Sequence, residues 1–311
     1  MAKRQIRKVS YGIAELYGER FNAISNDRRI ELLDSKSPPD CPHLVSFPRL
    51  APIDQKSKLP KTQCSKKGGV CSLRSYIDGS DGQKFGDITT TCPKRFYQDG
   101  RVFKRIGGLL FDNEDALIIN EVPFLKRNDG SGSEAEDTGT KTVGKIDMVM
   151  VDDSTGRLDW CAVELQAVYF SGAEMSKDYS VIRKHSGNGV PQPGGNRRPD
   201  FRSSGPKRLM PQLQTKVPTL RRWGKKMVVV VDRPFFDALG AMDAVPHISN
   251  CDIIWFIVRY EETDGAFGAE LVVDDIRFTT LERAVEGLTA GTPTTLPEFE
   301  EGIIKKLGIA D

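Results

Sequence analysis

Histidine is scarce in this chain of 311 residues: only His43, His185 and His247 occur, far apart in the sequence. That scarcity argues against a histidine-based nucleolytic site and leaves no Ser-His-Asp arrangement to build on. Long apolar runs are lacking too. No stretch approaches the roughly 18 apolar residues that a membrane span needs. The opening MAKRQIRKVSYG is basic but has no apolar core of the kind a secretory signal carries. A cytoplasmic protein without a membrane partner is the expectation. There is no GxxxxGKS phosphate loop, so nothing indicates an ATP-driven motor. None of the six cysteines forms a CxxC knuckle, and no internal repeat is present.

What is present is a chain long enough to bury a substantial core, with hydrophobic and charged contents ordinary for a folded protein. The net charge of +2 hides an uneven distribution. Residues 176–226 hold thirteen Lys or Arg against two acids, Asp178 and Asp200, which leaves the remainder of the chain net acidic. A basic block of mixed Arg, Gly and Pro on an acidic protein is the footprint of a polyanion-binding face.

Residues 144–170, GKIDMVMVDDSTGRLDWCAVELQAVYF, read as two adjacent strands joined by an Asp-Ser-Thr-Gly turn. Three polar side chains interrupt the apolar runs: Asp147 in the first strand, Glu164 and Gln166 in the second. Alternation along a strand sends Glu164 and Gln166 to one face, where Asp147 of the paired strand can join them. Two carboxylates at one spot suit a hard divalent cation such as Mg²⁺, and burying them without one is costly. Glu121, in the strand ALIINEVPF, is a candidate third acid. Glu15 is the other acid considered for the site, with a surface position the simpler expectation.

Cys41, Cys64, Cys71 and Cys92 fall in the segment from Pro38 to about Pro93, separated by 22, 6 and 20 residues. Pro, Lys, Ser and Gly dominate there and apolar periodicity fades. A loop-rich segment of that length needs a staple, and in a cytosolic chain a metal is favoured over disulfides. Four thiolates suit Zn²⁺ or iron. His43 is an alternative ligand to one of the cysteines. Cys161 and Cys251 lie in apolar strands and read as core residues.

The Asp…Glu-x-Gln pattern of Asp147, Glu164 and Gln166 resembles the PD-(D/E)XK nuclease signature in a variant ending in Gln. ELQAVYFSG, followed later by RRPDFRSSGPKRLMPQL, is similar to the NotI-type restriction endonucleases. The resemblance implies a type II restriction endonuclease that makes Mg²⁺-dependent double-strand cuts at a GC-rich palindrome with a GGCC centre. It implies a homodimer, and a DNA methyltransferase acting on the same site in the cell. Asp147 and Glu164 would be the Mg²⁺ ligands, with the Leu165 carbonyl as a further one, and Gln166 would position water or phosphate. The resemblance also implies that the four cysteines bind iron, where spacing alone leaves zinc open. Arg197, Arg198, Arg202, Lys207 and Arg208 are candidate DNA contacts, since Arg reads guanine bidentately, and Asp200 is a candidate acceptor from cytosine. Lys56, Lys58, Lys61, Lys66 and Lys67 are further candidates for the DNA backbone.

The expected fold is α/β: a restriction-endonuclease-like mixed central sheet flanked by helices, with a loop-rich four-cysteine insertion. Residues 1–37 are expected to form a helical segment, because 9–24 carry apolar residues at helical spacing and Ser25 offers a cap for a second helix. Residues 38–95 form the cysteine module and 96–311 the nuclease core. Two rival functions remain at this point: a repair or recombination nuclease directed by DNA structure, and a non-catalytic DNA-binding protein on the same fold.

Overall fold

The computed structural model describes residues 9–35, 37–47, 62–64, 68–126, 142–171, 176–187, 189–194, 197–263, 268–289, 291 and 294–308. The chain opens with a hairpin where helical spacing predicts a helix. Strands β1 (Ser10–Leu16) and β2 (Glu19–Arg20) are joined by Tyr17-Gly18, both at positive φ, the turn geometry that suits a two-residue hairpin. Helix α1 (Asn26–Asp34) follows, and the Ser25 side chain accepts from the Arg28 amide as its cap. After α2 (Pro42–Val45) comes a second hairpin, β3 (Val70–Gly79) with β4 (Gly82–Thr90). Much of the supposed loop-rich insertion is therefore strand, and it completes a four-stranded sheet in the order β2-β1-β3-β4.

A 3₁₀ stretch (Pro93–Gly100) leads into α3 (Arg101–Phe111) and then β5 (Leu117–Lys126), β6 (Thr142–Asp152), β7 (Asp159–Leu165) and the short β8 (Tyr169–Ser171). Next come α4 (Ser176–Lys184), β9 (Arg198–Asp200), α5 (Phe201–Ser204) and a π turn (Gly205–Leu209) that runs directly into α6 (Met210–Arg222). The chain ends with β10 (Met227–Asp232), α7 (Arg233–Asp237), β11 (Ile253–Glu261), β12 (Glu270–Thr279), α8 (Leu281–Thr289) and α9 (Leu296–Leu307).

The central sheet has six strands in the order β12-β11-β10-β7-β6-β5. β10 is parallel to both β7 and β11, and the other pairs are antiparallel, so the sheet is mixed as expected. All six residues of β10 are buried, which explains its unbroken run of Val: a strand covered on both faces has no polar side to alternate with. One face packs on α6 through Val149, Val151, Ala162, Leu213, Val217 and Leu220. The other packs on α3 through Met148, Met150, Val163, Val102 and Ile106. The first sheet is tied to the central one by hydrogen bonds from the Thr90 amide to Asp232 and from the Val168 amide to the Thr90 carbonyl.

Candidate active site

β6 and β7 pair antiparallel with Met148 opposite Val163, and the next residues along the two strands are Asp147 and Glu164. The cross-strand pairing thus carries the two acids to facing positions at the end of the ladder. The Asp147 carboxylate acts on the Glu164 carboxyl, although Asp147 keeps 64% of its side chain exposed and Glu164 only 6%. Asp147 shares its strand face with Val149 and Val151, so the pair sits at the edge of the core beneath α6. Burial pushes the Glu164 carboxyl above its ordinary range; Lys216 pulls it down and Asp147 pushes it up again.

Lys216 was not foreseen as part of this site. Its Nζ lies 2.9 Å from Glu164 Oε2, 3.5 Å from Asp147 Oδ2 and 2.7 Å from Gln212 Oε1. The lysine comes from the middle of α6, where Leu213, Val217 and Leu220 form the inward stripe. A residue three places after Leu213 and one before Val217 falls on that same buried face. A lone Lys inside an apolar helical stripe was the available signal. Among thirteen basic residues of one stretch it did not stand out.

Glu121 is flanked by the pairs Asn120–Met148 and Val122–Ile146, which sets it beside Asp147 on the third strand of the row. Its side chain is exposed and accepts from Lys145 Nζ at 2.8 Å, and its φ of 56° is left-handed. Gln166 lies just past the end of β7 and is buried. Its amide Nε2 donates to the Ala167 carbonyl at 2.6 Å, and its backbone N–H donates to the Val230 carbonyl. Glu15 is not at the surface: it is fully buried, in an ion pair with Arg95.

The basic segment divides into two sets. Arg197 is buried, ion-paired with the buried Asp178 and placed 3.7 Å above the Phe170 ring. Asp200 caps α5, accepting from the Ser203 amide and hydroxyl. The Arg197 side chain is thus engaged inside the protein, away from the exposed position that the DNA-reading expectation assumes, whereas Asp200 stays half-buried. Arg198, Arg202, Lys207 and Arg208 are exposed, and Arg208 lies 4.1 Å over the exposed Tyr169 ring. Lys56, Lys58, Lys61, Lys66 and Lys67 lie outside the described residues.

The four cysteines line one cavity together with His43, Gly69 and Lys94. Two backbone connections gather them: Cys41 and Cys64 sit on segments bonded through Thr62 and Pro39, while the Cys92 amide donates to the Cys71 carbonyl. None of the four is in a disulfide, and burial pushes the Cys71 thiol well up. His43 Nε2 is buried without a hydrogen-bond partner. Among the described residues no three His, Cys, Asp or Glu stand close enough to hold one ion. The expected four-cysteine metal insertion therefore appears as a shared cavity, with no assembled ligand cluster.

A family model described as restriction endonuclease NotI matches residues 49–271, well over half the chain. The chain belongs to the NotI restriction endonuclease family. No curated protein matches it. Membership of the NotI family makes it a site-specific deoxyribonuclease that acts on double-stranded DNA. The NotI match spans Asp147, Glu164, Gln166, Lys216, the exposed arginines and three of the four cavity cysteines, and stops short of Cys41, α8 and α9. Among the described residues no helix is long and apolar enough to cross a membrane.

Proposed function

We propose that this restriction endonuclease is of the PD-(D/E)XK type and makes Mg²⁺-dependent double-strand cuts, with Asp147 and Glu164 as the metal-holding pair. The observation that carries the reading is the cross-strand placement of these acids, facing each other at a ladder's end in a member of the NotI family. The donor set fits the ion: two carboxylates face each other with a cationic group already drawn between them. When bound, Mg²⁺ supplies polarisation of the scissile phosphate and a more acidic water. Glu164 is held rigid by burial, while the exposed Asp147 leaves the site open to DNA. The Leu165 carbonyl and Glu121 are assigned as further oxygen donors, and the Gln166 amide orients the neighbouring backbone.

Arg198, Arg202, Lys207 and Arg208 are the groups assigned to DNA. An Arg-rich reader favours G·C pairs, in keeping with a GC-rich palindrome of GGCC centre, cut by a two-fold symmetric homodimer. A DNA methyltransferase acting on the same sequence would complete the system. Cys41, Cys64, Cys71 and Cys92 are assigned to a structural iron or zinc ion, with donors of the right chemistry already around one cavity.

The test is incubation of the purified protein with long, sequenced, GC-rich DNA and Mg²⁺, followed by sequencing of the fragment ends. Discrete ends that share a palindrome are expected, and cleavage is expected to vanish in Asp147→Ala and Glu164→Ala while DNA binding persists. A smear would instead mark a structure-directed nuclease. Cleavage by both variants at the wild-type rate would remove the site assignment.

A further inference from the structure

Position 166, two residues after Glu164, is a neutral Gln whose amide donates to its own neighbour, the Ala167 carbonyl, and so brings no positive charge to the acids. Among the described residues, the ammonium in contact with both acids comes from a helix. We propose that Lys216 is a catalytic residue that supplies, from α6, the positive charge at the reacting phosphate. This inference rests on the active-site reading given above.

Three observations carry it. Lys216 is 8% exposed at its side chain and yet charged among charges, a placement that costs desolvation and is kept only where partners compensate. Its partners are the two site acids and Gln212, with no other carboxylate in contact among the described residues. An ammonium has three donors: two go to Glu164 and Gln212 at hydrogen-bond distance, and the third side faces the exposed Asp147 at 3.5 Å, where a phosphate would enter. The charge count also closes. Two carboxylates and one phosphodiester are neutralised by one divalent cation and one ammonium; without Lys216 the site keeps a net negative charge that grows as the transition state develops.

The reaction itself is hydrolysis. The oxygen of a water forms a bond to phosphorus, one P–O ester bond breaks, the water gives a proton to solvent and the leaving alkoxide takes one up. Lys216 remains an ammonium throughout and donates hydrogen bonds to a non-bridging phosphate oxygen. No oxidant, reductant or further reactant is consumed.

The experiment measures single-turnover cleavage at the sites the wild type defines, over a range of Mg²⁺ concentrations, for Lys216→Met and Lys216→Arg. Melting temperature and DNA binding without Mg²⁺ are measured alongside. The expected result is a maximal rate lowered at least a hundredfold in Lys216→Met at saturating Mg²⁺, with folding and DNA binding kept, and recovery of at least a tenth of the wild-type rate in Lys216→Arg. If Lys216→Met changes only the half-saturating Mg²⁺ concentration, the lysine merely relieves repulsion between two acids and the proposal is overturned. An unchanged rate overturns it too. Should Lys216→Met fail to fold, Lys216→Gln replaces it and must show the same loss of rate. A wild type that cuts no DNA would overturn the nuclease reading itself, whereas a cutting wild type matched by Lys216→Met removes the lysine alone.

Discussion

Arg95 Nε donates to Glu15 Oε2 at 2.8 Å, with both side chains fully buried. Ser72 donates to the same carboxylate oxygen, and Arg95 also donates to the Ala269 carbonyl and to Gln98. Burial pushes the Glu15 carboxyl up, but the Arg95 guanidinium beside it holds it below its ordinary range. The pair therefore joins β1, the 3₁₀ stretch and the chain entering β12. Arg95→Met would strand a buried carboxylate and is expected to lower stability by about 3–5 kcal/mol, read from urea unfolding. A midpoint equal to the wild type would mean that the pair is structurally idle.

The division of the basic segment gives a contrast. Arg197→Ala removes the partner of buried Asp178 and is expected to lower the melting temperature, with loss of DNA binding only through instability. Arg202→Ala should leave melting unchanged and weaken DNA binding, reducing the slope of log K against log salt by roughly 1 if it meets a phosphate. Equal melting for the two variants would contradict the assignment of Arg197 to the interior.

Asp232 ends β10, accepts from the amides of Thr90 and Phe235, and is wholly buried. Burial pushes its carboxyl up to about 6, against those hydrogen bonds, from an ordinary 3.8. An acid whose folded-state value is raised holds its proton more tightly when folded. Its contribution to stability is complete below pH 4 and is lost as pH rises through 6. The loss amounts to about 3 kcal/mol at most, at about 1.4 kcal/mol per unit. The difference in unfolding free energy between wild type and Asp232→Asn should thus shift against the wild type between pH 4 and pH 7. A pH-independent difference would show that Asp232 does not titrate there.

Cys71 lines the cysteine cavity from β3, bonded through its backbone to the segment that carries Cys92. Cys71→Ser is expected to lose bound metal and thermal stability together, since ligation free energy is folding free energy in such sites. Elemental analysis beside calorimetry checks both. Full metal content at wild-type stability would place the ion elsewhere or nowhere.

The strands that carry the site were legible because two acids and a Gln break otherwise apolar runs, and β10 and β11 because they are near-continuous apolar stretches that a doubly covered sheet tolerates. The cap at Ser25 was legible from local chemistry alone. β1 was not: Ile13, Ala14, Glu15 and Leu16 are buried in succession, so alternation is lost and the spacing imitates a helix. Its burial also conceals Glu15, whose partner Arg95 lies 80 residues away. Arg197 looks like a DNA reader by composition. What decides its fate is the position of Asp178, a matter of tertiary contact. The α9 helix was missed although Thr295 and Glu298 form a capping box, because its charged and apolar residues, Leu296, Phe299 and Leu307 among them, all remain exposed.

The π turn holding Lys207 and Arg208 continues without a break into the helix holding Lys216. Nine residues at helical rise span roughly 14 Å, so one continuous helical segment has its outer end among the groups assigned to DNA and its middle at the acidic pair. If DNA seats against the outer turn as proposed, a displacement there would be passed along the segment to the ammonium over Asp147 and Glu164, and a poorly fitting sequence would leave that charge out of step with the phosphate it serves. Reading and cutting would then share a single lever, and fidelity would be a property of its alignment.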